Sequence, residues 1–209
     1  MRAAVFSLAG LLLALPADAK ELRAAGYSFS DELGGFRLIA VAGAGSRADP
    51  FVIREALFGI GPVTLTIRRP GMPPGSQIGR WNAVHIRKVV ENRSGRVWAG
   101  FDMELQERRD VPSIYGDGLS FDQGRLLPVE IGSDVFARHD RRFEPYDRLR
   151  FSEGYVDPAG QARFSLHITD PTPTAVFYLV QQPQILFASK AGGPRLAAAS
   201  LPLPPPPAP

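Results

Sequence analysis

Between residues 20 and 190 the apolar positions recur at every second residue, in short runs cut by glycine, proline, asparagine and aspartate. A period of two marks half-buried strands, because successive side chains of an extended chain point to opposite faces. The clearest run covers residues 97–107, where Val97, Ala99, Phe101, Met103 and Leu105 alternate with Trp98, Gly100, Asp102, Glu104 and Gln106. The first set is expected to be buried and the second wet, which sends Trp98 outward. Val84, Ile86, Val89 and Val90 mark the preceding strand. The stretch Glu91, Asn92, Arg93, Ser94, Gly95 between the two suits a tight reversal, since Asn and Gly accept positive φ and Ser bonds nearby backbone. Residues 83–107 are therefore predicted to form a β-hairpin.

Further strands are predicted over residues 36–41, 51–57, 62–68, 148–151, 162–169, 175–181 and 185–187. About eight or nine short strands at this spacing, with no segment of helical period, predict an all-β sandwich. A parallel α/β sheet is excluded by the lack of crossover helices. Residues 108–147 break the rhythm: Pro112, Gly116, Gly118, Gly124, Pro128, Gly132 and Pro145 interrupt scattered apolar residues. Loops of that length in a compact domain are usually functional or disordered, so a site is expected there.

The two ends read differently from the middle. Arg2 precedes an apolar run from Val5 to Leu15, followed by Pro16 and the triplet Ala17, Asp18, Ala19. A basic start, a short apolar stretch and an A-x-A site predict a signal peptide over residues 1–19, cleaved near Ala19. Roughly 11 apolar residues rise only about 16 Å as a helix, against a hydrocarbon core of about 30 Å. The expected address is periplasmic or secreted, with no transmembrane segment in the mature chain. Residues 191–209 are rich in Ala and Pro and end in a run of prolines. They are expected to be an extended or disordered tail behind a domain of residues 20–190.

Composition narrows the partners. The chain has no cysteine, which excludes disulfides and thiolate metal sites. Its 24 basic and 21 acidic side chains make a mixed surface with a net charge of +3. No basic repeat is interleaved with aromatics, so nucleic acid is not an expected partner.

Candidate chemistry concentrates in the 108–147 segment. Asp117 and Asp122 lie in its densest glycine and polar cluster, where they either cap turn amides or share an oxygen-rich calcium site. The spacing does not match a D-x-D-x-D-G loop. His139 is the histidine with carboxylates nearby, Asp134 and Asp140, whereas His85 and His167 are expected to face solvent from their strands. Gly43, Ala44, Gly45, Ser46, Arg47, Ala48 fits G-x-G-x-x-A, but an extended run rather than a helix follows it, so it is read as a turn. Asn92, Arg93, Ser94 matches an N-glycosylation triplet and is read first as part of the reversal. No nucleophile elbow, zinc helix or paired-glutamate motif occurs, and no cofactor is expected. Trp98 and Tyr115 are candidate outward aromatics for stacking sugars or a protein, with Trp81, Tyr146 and Tyr155 at loop or strand edges.

Two stretches carry a resemblance. Residues 90–105, from Val90 through Asn92, Gly95 and Trp98 to Leu105, resemble a strand-turn-strand pattern of exported bacterial β-sandwich proteins, including some of the PEP-CTERM sorting class. Residues 147–160 followed by Phe164 to Ile168 are similar to the next part of those domains. The resemblance implies an immunoglobulin-like sandwich outside the cytoplasm and supplies no catalytic residues. This chain departs from the class in ending on prolines rather than on a membrane helix with a basic tail. The expected function is a non-enzymatic binding or structural module that engages a protein or glycan partner through residues 108–147, with Trp98, Tyr115, Asp117 and Asp122 as binding candidates. The alternative is a carbohydrate-active hydrolase or lyase using Asp117, Asp122 or Asp134.

Overall fold

A computed structural model describes residues 19–69, 82–114, 116–122, 131–141 and 145–185. The leader up to residue 18, the tail, Trp81 and Tyr115 lie outside the described residues. Thirteen strands and no helix occur among those described. They are β1 (Glu21–Ala24), β2 (Tyr27–Ser30), β3 (Phe36–Ala42), β4 (Phe51–Leu57), β5 (Val63–Arg68), β6 (Asn82–Asn92) and β7 (Trp98–Gln106). There follow β8 (Ser120–Phe121), β9 (Gly132–Ser133), β10 (Arg138–Asp140), β11 (Arg148–Ser152), β12 (Gln161–Asp170) and β13 (Val176–Ile185).

The strands form two open sheets, as a β-sandwich requires. A seven-stranded sheet runs β1-β2-β5-β13-β7-β11-β10, and a six-stranded sheet runs β3-β4-β6-β12-β8, with β9 also on β12. Alternation sends Phe29, Leu65, Phe101, Phe151 and Phe177 of the first sheet and Phe51, Ile86 and Phe164 of the second into one buried cluster. Burying each such side chain contributes about 1.5–3 kcal/mol, which makes the faces, not the loops, the source of stability.

Three predictions change. Residues 83–107 are not a hairpin: β6 pairs with β4 and β12, while β7 pairs with β11 and β13 in the other sheet. The reversal between them is an arch from one sheet to the other. Its tightness comes from Asn92, whose buried Nδ2 donates to the carbonyls of Arg96, Val156 and Asp157 at 2.7–3.1 Å. In the folded protein that amide is therefore not presented for glycosylation. Parallel pairing also occurs with no helix among the described residues, since β4 and β6 run parallel and β5, which lies between them in sequence, belongs to the opposite sheet.

Trp98 is the third change. The pairing of β7 with β13 passes from Gly100↔Gln184 to Trp98↔Ile185, leaving Ala99 as an extra residue. A bulge of one residue exchanges the faces, so Trp98 is 0% exposed and Val97 is exposed. The indole Nε1 donates to Ser94 Oγ at 3.0 Å, and the ring packs on Phe101. Elsewhere, while residues 186–187 lie outside the described residues, the run predicted at residues 175–181 and Ile185, the first residue of the run predicted at 185–187, lie in one continuous strand, β13. Pro183 fits inside it because it lies beyond the last β5 partner, Val63, where no neighbour needs its missing N–H.

The core also holds an ion pair. Lys88 Nζ lies 2.8 Å from Glu55 Oε2, and both side chains are fully buried between the sheets. Burial pushes the Lys88 ammonium below its ordinary range, opposed by the charge and hydrogen bond of Glu55.

Candidate functional site

The outer face of the six-stranded sheet is where chemistry-bearing side chains gather. On β6 the outward residues are His85, Arg87 and Val89, and on β12 they are Arg163, Ser165 and His167, placed there by the same alternation that buries Ile86, Phe164 and Leu166. Register brings Ser165 opposite Arg87 and His167 opposite His85. The two imidazoles stack with centroids 4.4 Å apart and planes 11° from parallel. Both histidines face outward as expected, but the stack and the cover beside it leave the His167 side chain only 12% exposed.

The turn between β3 and β4 rims this face. Gly43 and Gly45 adopt φ of +94° and +76°, and a Cβ on Gly43 would stand 2.1 Å from the Pro50 carbonyl oxygen. The Ala44 and Ser46 amides both donate to the Asp49 carbonyl, and Gly45 accepts the His85 amide at 2.9 Å. The G-x-G sequence is thus a hairpin turn joined to β6. It holds Arg47 and Pro50 beside His85 and Arg87 in a depression of about 230 Å³. An adjoining hollow of about 610 Å³ is lined by Arg87, Val89, Ser133, Asp134, Arg163 and Ser165 among others. Arg87 and Ser165 border both.

The 108–147 segment supplies the free edge of this sheet. β8 pairs with Ile168 and Thr169, and β9 with Phe164 and Ser165, so two short pieces cover β12. Between them the Asp122 amide donates to the His167 carbonyl at 3.0 Å. Asp122 sits at φ +47° and is buried. Its carboxylate lies 3.4 Å from His167 Nδ1 and 3.9 Å from the Arg141 guanidinium, which also donates to the Phe121 and Asp122 carbonyls. Asp134 is engaged by Arg163, through both the backbone amide at 2.7 Å and the guanidinium at 3.0 Å.

A second polar group closes one end of the sandwich. Asp117 accepts the amides of Ile114 and Leu119, the turn-capping arrangement weighed for it from sequence. Asp147, buried, accepts the Ser120 hydroxyl at 2.6 Å, while its Oδ2 has no partner. Burial pushes its carboxyl up to about 6, despite the Ser120 bond and with help from the charge of Asp117. Glu107 is raised too, by burial and then by Asp117 and Asp170. Nearby, Arg69 and Asp170 form a buried pair at 2.8 Å, with Arg69 over the Phe177 ring at 4.7 Å.

Of the sequence candidates, Asp122 reaches the sheet face and Asp117 the end cluster. Trp98 is corrected to a core position, and Tyr115 lies outside the described residues. Tyr146 and Tyr155 are exposed, with Arg148 over the Tyr146 ring. His139 is on β10 against Phe151, where burial, reinforced by Arg141, lowers its imidazole. Among the described residues no three His, Asp or Glu side chains are gathered to hold a metal. Sequence reasoning missed Arg47, Arg87 and Asp147. The outward register of β6 and β12 was the available signal for Arg87, whereas nothing local marks Asp147. No family model, curated protein or solved structure matches this chain.

Proposed function

We propose that the protein is an exported, non-enzymatic binding module with an immunoglobulin-like sandwich, working in the periplasm or outside the cell after cleavage near Ala19. It engages a protein or glycan partner that presents anionic groups. The observation that carries this reading is the pair of adjoining depressions on the six-stranded sheet, where Arg47, His85 and Arg87 meet Ser133, Asp134 and Ser165. Guanidinium groups match carboxylates and phosphates in a two-pronged geometry, and hydroxyls and a carboxylate beside them suit the polar groups of a sugar. Residues 132–134 of the 108–147 segment build one wall, in keeping with the role expected of that segment.

The hydrolase or lyase alternative needs two carboxylates free to flank a substrate bond. Asp117 is committed to two backbone amides, Asp122 to His167 and Arg141, and Asp134 to Arg163. These engagements favour binding over catalysis. The test is calorimetry of the protein with an oligogalacturonate, beside an acidic peptide of matched charge. The expected outcome is salt-sensitive binding of one of the two that falls at least about tenfold in Arg87→Ala, the equivalent of one charge-assisted contact. Unaltered affinity in that variant would remove this face as the binding site.

A further inference from the structure

Lys20 stands at the head of β1, immediately after the triplet at which the leader is expected to be cut. Its backbone nitrogen lies 2.6 Å from Asp31 Oδ1, and Asp31 Oδ2 accepts the Leu38 amide at 2.8 Å. In return the Asp31 amide donates to the Lys20 carbonyl at 3.2 Å, and Lys20 Nζ donates to the Ile39 carbonyl at 2.9 Å. Asp31 is only 8% exposed. It follows β2 of the seven-stranded sheet and grips β3 of the six-stranded one, so a single carboxylate joins the start of β1, the exit of β2 and the opposite sheet.

Asp31 takes part in no ion pair with a side chain of the described residues. A nearly buried carboxylate without a counter-ion is costly, and a cation placed against it is stabilising. The Lys20 nitrogen thus already sits within charge-assisted hydrogen-bond reach of the carboxylate, where an ammonium would bind more strongly than an amide. The surroundings have room for solvent at the new end: Lys20, Asp31, Gly34, Gly35, Arg37 and Phe58 border an open depression of about 460 Å³. Ala19 itself is exposed.

We infer that leader removal breaks the Ala19–Lys20 bond and that the α-ammonium it creates docks on Asp31, clasping β1 and both sheets together. This inference rests on the expected signal peptide and is independent of the binding face. Hydrolysis adds one water: its oxygen goes to the Ala19 carbonyl carbon, which leaves as a carboxylate, and the Lys20 nitrogen becomes an ammonium. A hydrogen bond of the precursor is thereby turned into an ion pair of the mature protein. Starting the chain one residue earlier or later displaces the charge by about 3.4 Å along the strand, away from the carboxylate.

Full mature chains beginning at Ala19, Lys20 or Glu21 are to be released from a cleavable fusion and melted side by side, each also with Asp31→Asn. The Lys20 start should melt ~3–8 °C above the Ala19 start, and the difference should vanish in Asp31→Asn. Enzymatic Nα-acetylation of the Lys20 form, which removes the charge and keeps an N–H, should abolish the same gain and serves if Asp31→Asn does not fold. N-terminal sequencing of the exported protein should begin at Lys20. Equal melting of the Ala19 and Lys20 starts, a difference that survives Asp31→Asn or acetylation, or an exported chain beginning elsewhere would each overturn the inference.

Discussion

Replacing Asp147 by asparagine removes a charge while keeping an oxygen for the Ser120 hydroxyl and the Phe121 amide. The native carboxyl is raised from 3.8 to about 6, chiefly by burial. The folded protein thus holds this proton more tightly than the unfolded chain does. Stability from this group is complete below pH ~4 and is lost as pH rises through 4 to 6. A shift of roughly two units, at 1.36 kcal/mol each, puts the loss near 3 kcal/mol above pH 7. Asparagine avoids that loss but brings an N–H to the place where Oδ2 has no partner, which offsets part of the gain. Asp147→Asn should therefore be more stable than the native protein by about 1–3 kcal/mol at pH 8, with the difference falling by about 3 kcal/mol, to zero or below, by pH 4. Urea unfolding of both proteins between pH 3.5 and 8 measures it, and taking their difference cancels the titration of every other group. A variant no more stable at pH 8, or a difference that does not change with pH, would refute the argument from burial.

Two further outcomes follow from the core. Lys88→Met leaves Glu55 buried without its cation and should cost about 3–5 kcal/mol, whereas Lys88→Met combined with Glu55→Leu should recover most of that in denaturant titration. Trp98→Ala should destabilise by about 3–5 kcal/mol in the same assay while leaving the affinity of the folded protein for an anionic partner unchanged, because the indole fills the core.

Strand existence was legible because it depends on a local period. Residues 51–57 and 63–68 form strands at the places where apolar and polar residues alternate, and the outward placement of His85 and Arg87 follows from the same alternation. The short strands β1, β2, β8, β9 and β10 were not legible, since two to four residues are too few to show a period. β8 and β9 are strands because the edge of β12 offers them unpaired backbone groups. Trp98 was misplaced for a different reason: the single residue Ala99, bulged between β7 and β13, reverses the parity on which the reading relied.

The candidate site depends still more on distance in the chain. Asp122 and His167, or Arg47 and Ser165, are far apart in sequence and meet because β12 lies against β6 on one side and β8 on the other. Asp117 could be read as a turn cap, since its partners Ile114 and Leu119 are neighbours in the chain. Asp147 gives no such clue, because its raised carboxyl comes from burial and from Asp117, Ser120 and Phe121.

Sequence by itself determined that the described chain is all-β, which of its longer stretches are strands, and that residues 43–48 turn rather than cradle a nucleotide, because each of these follows from near-neighbour sterics and a two-residue period. Only the tertiary structure decided which strands pair, that residues 83–107 arch between sheets, that Trp98 and Lys88 are buried, and which polar groups share a face. Those outcomes are set by competition among distant strands for the same backbone groups and the same apolar surface, and no local window of sequence contains both competitors.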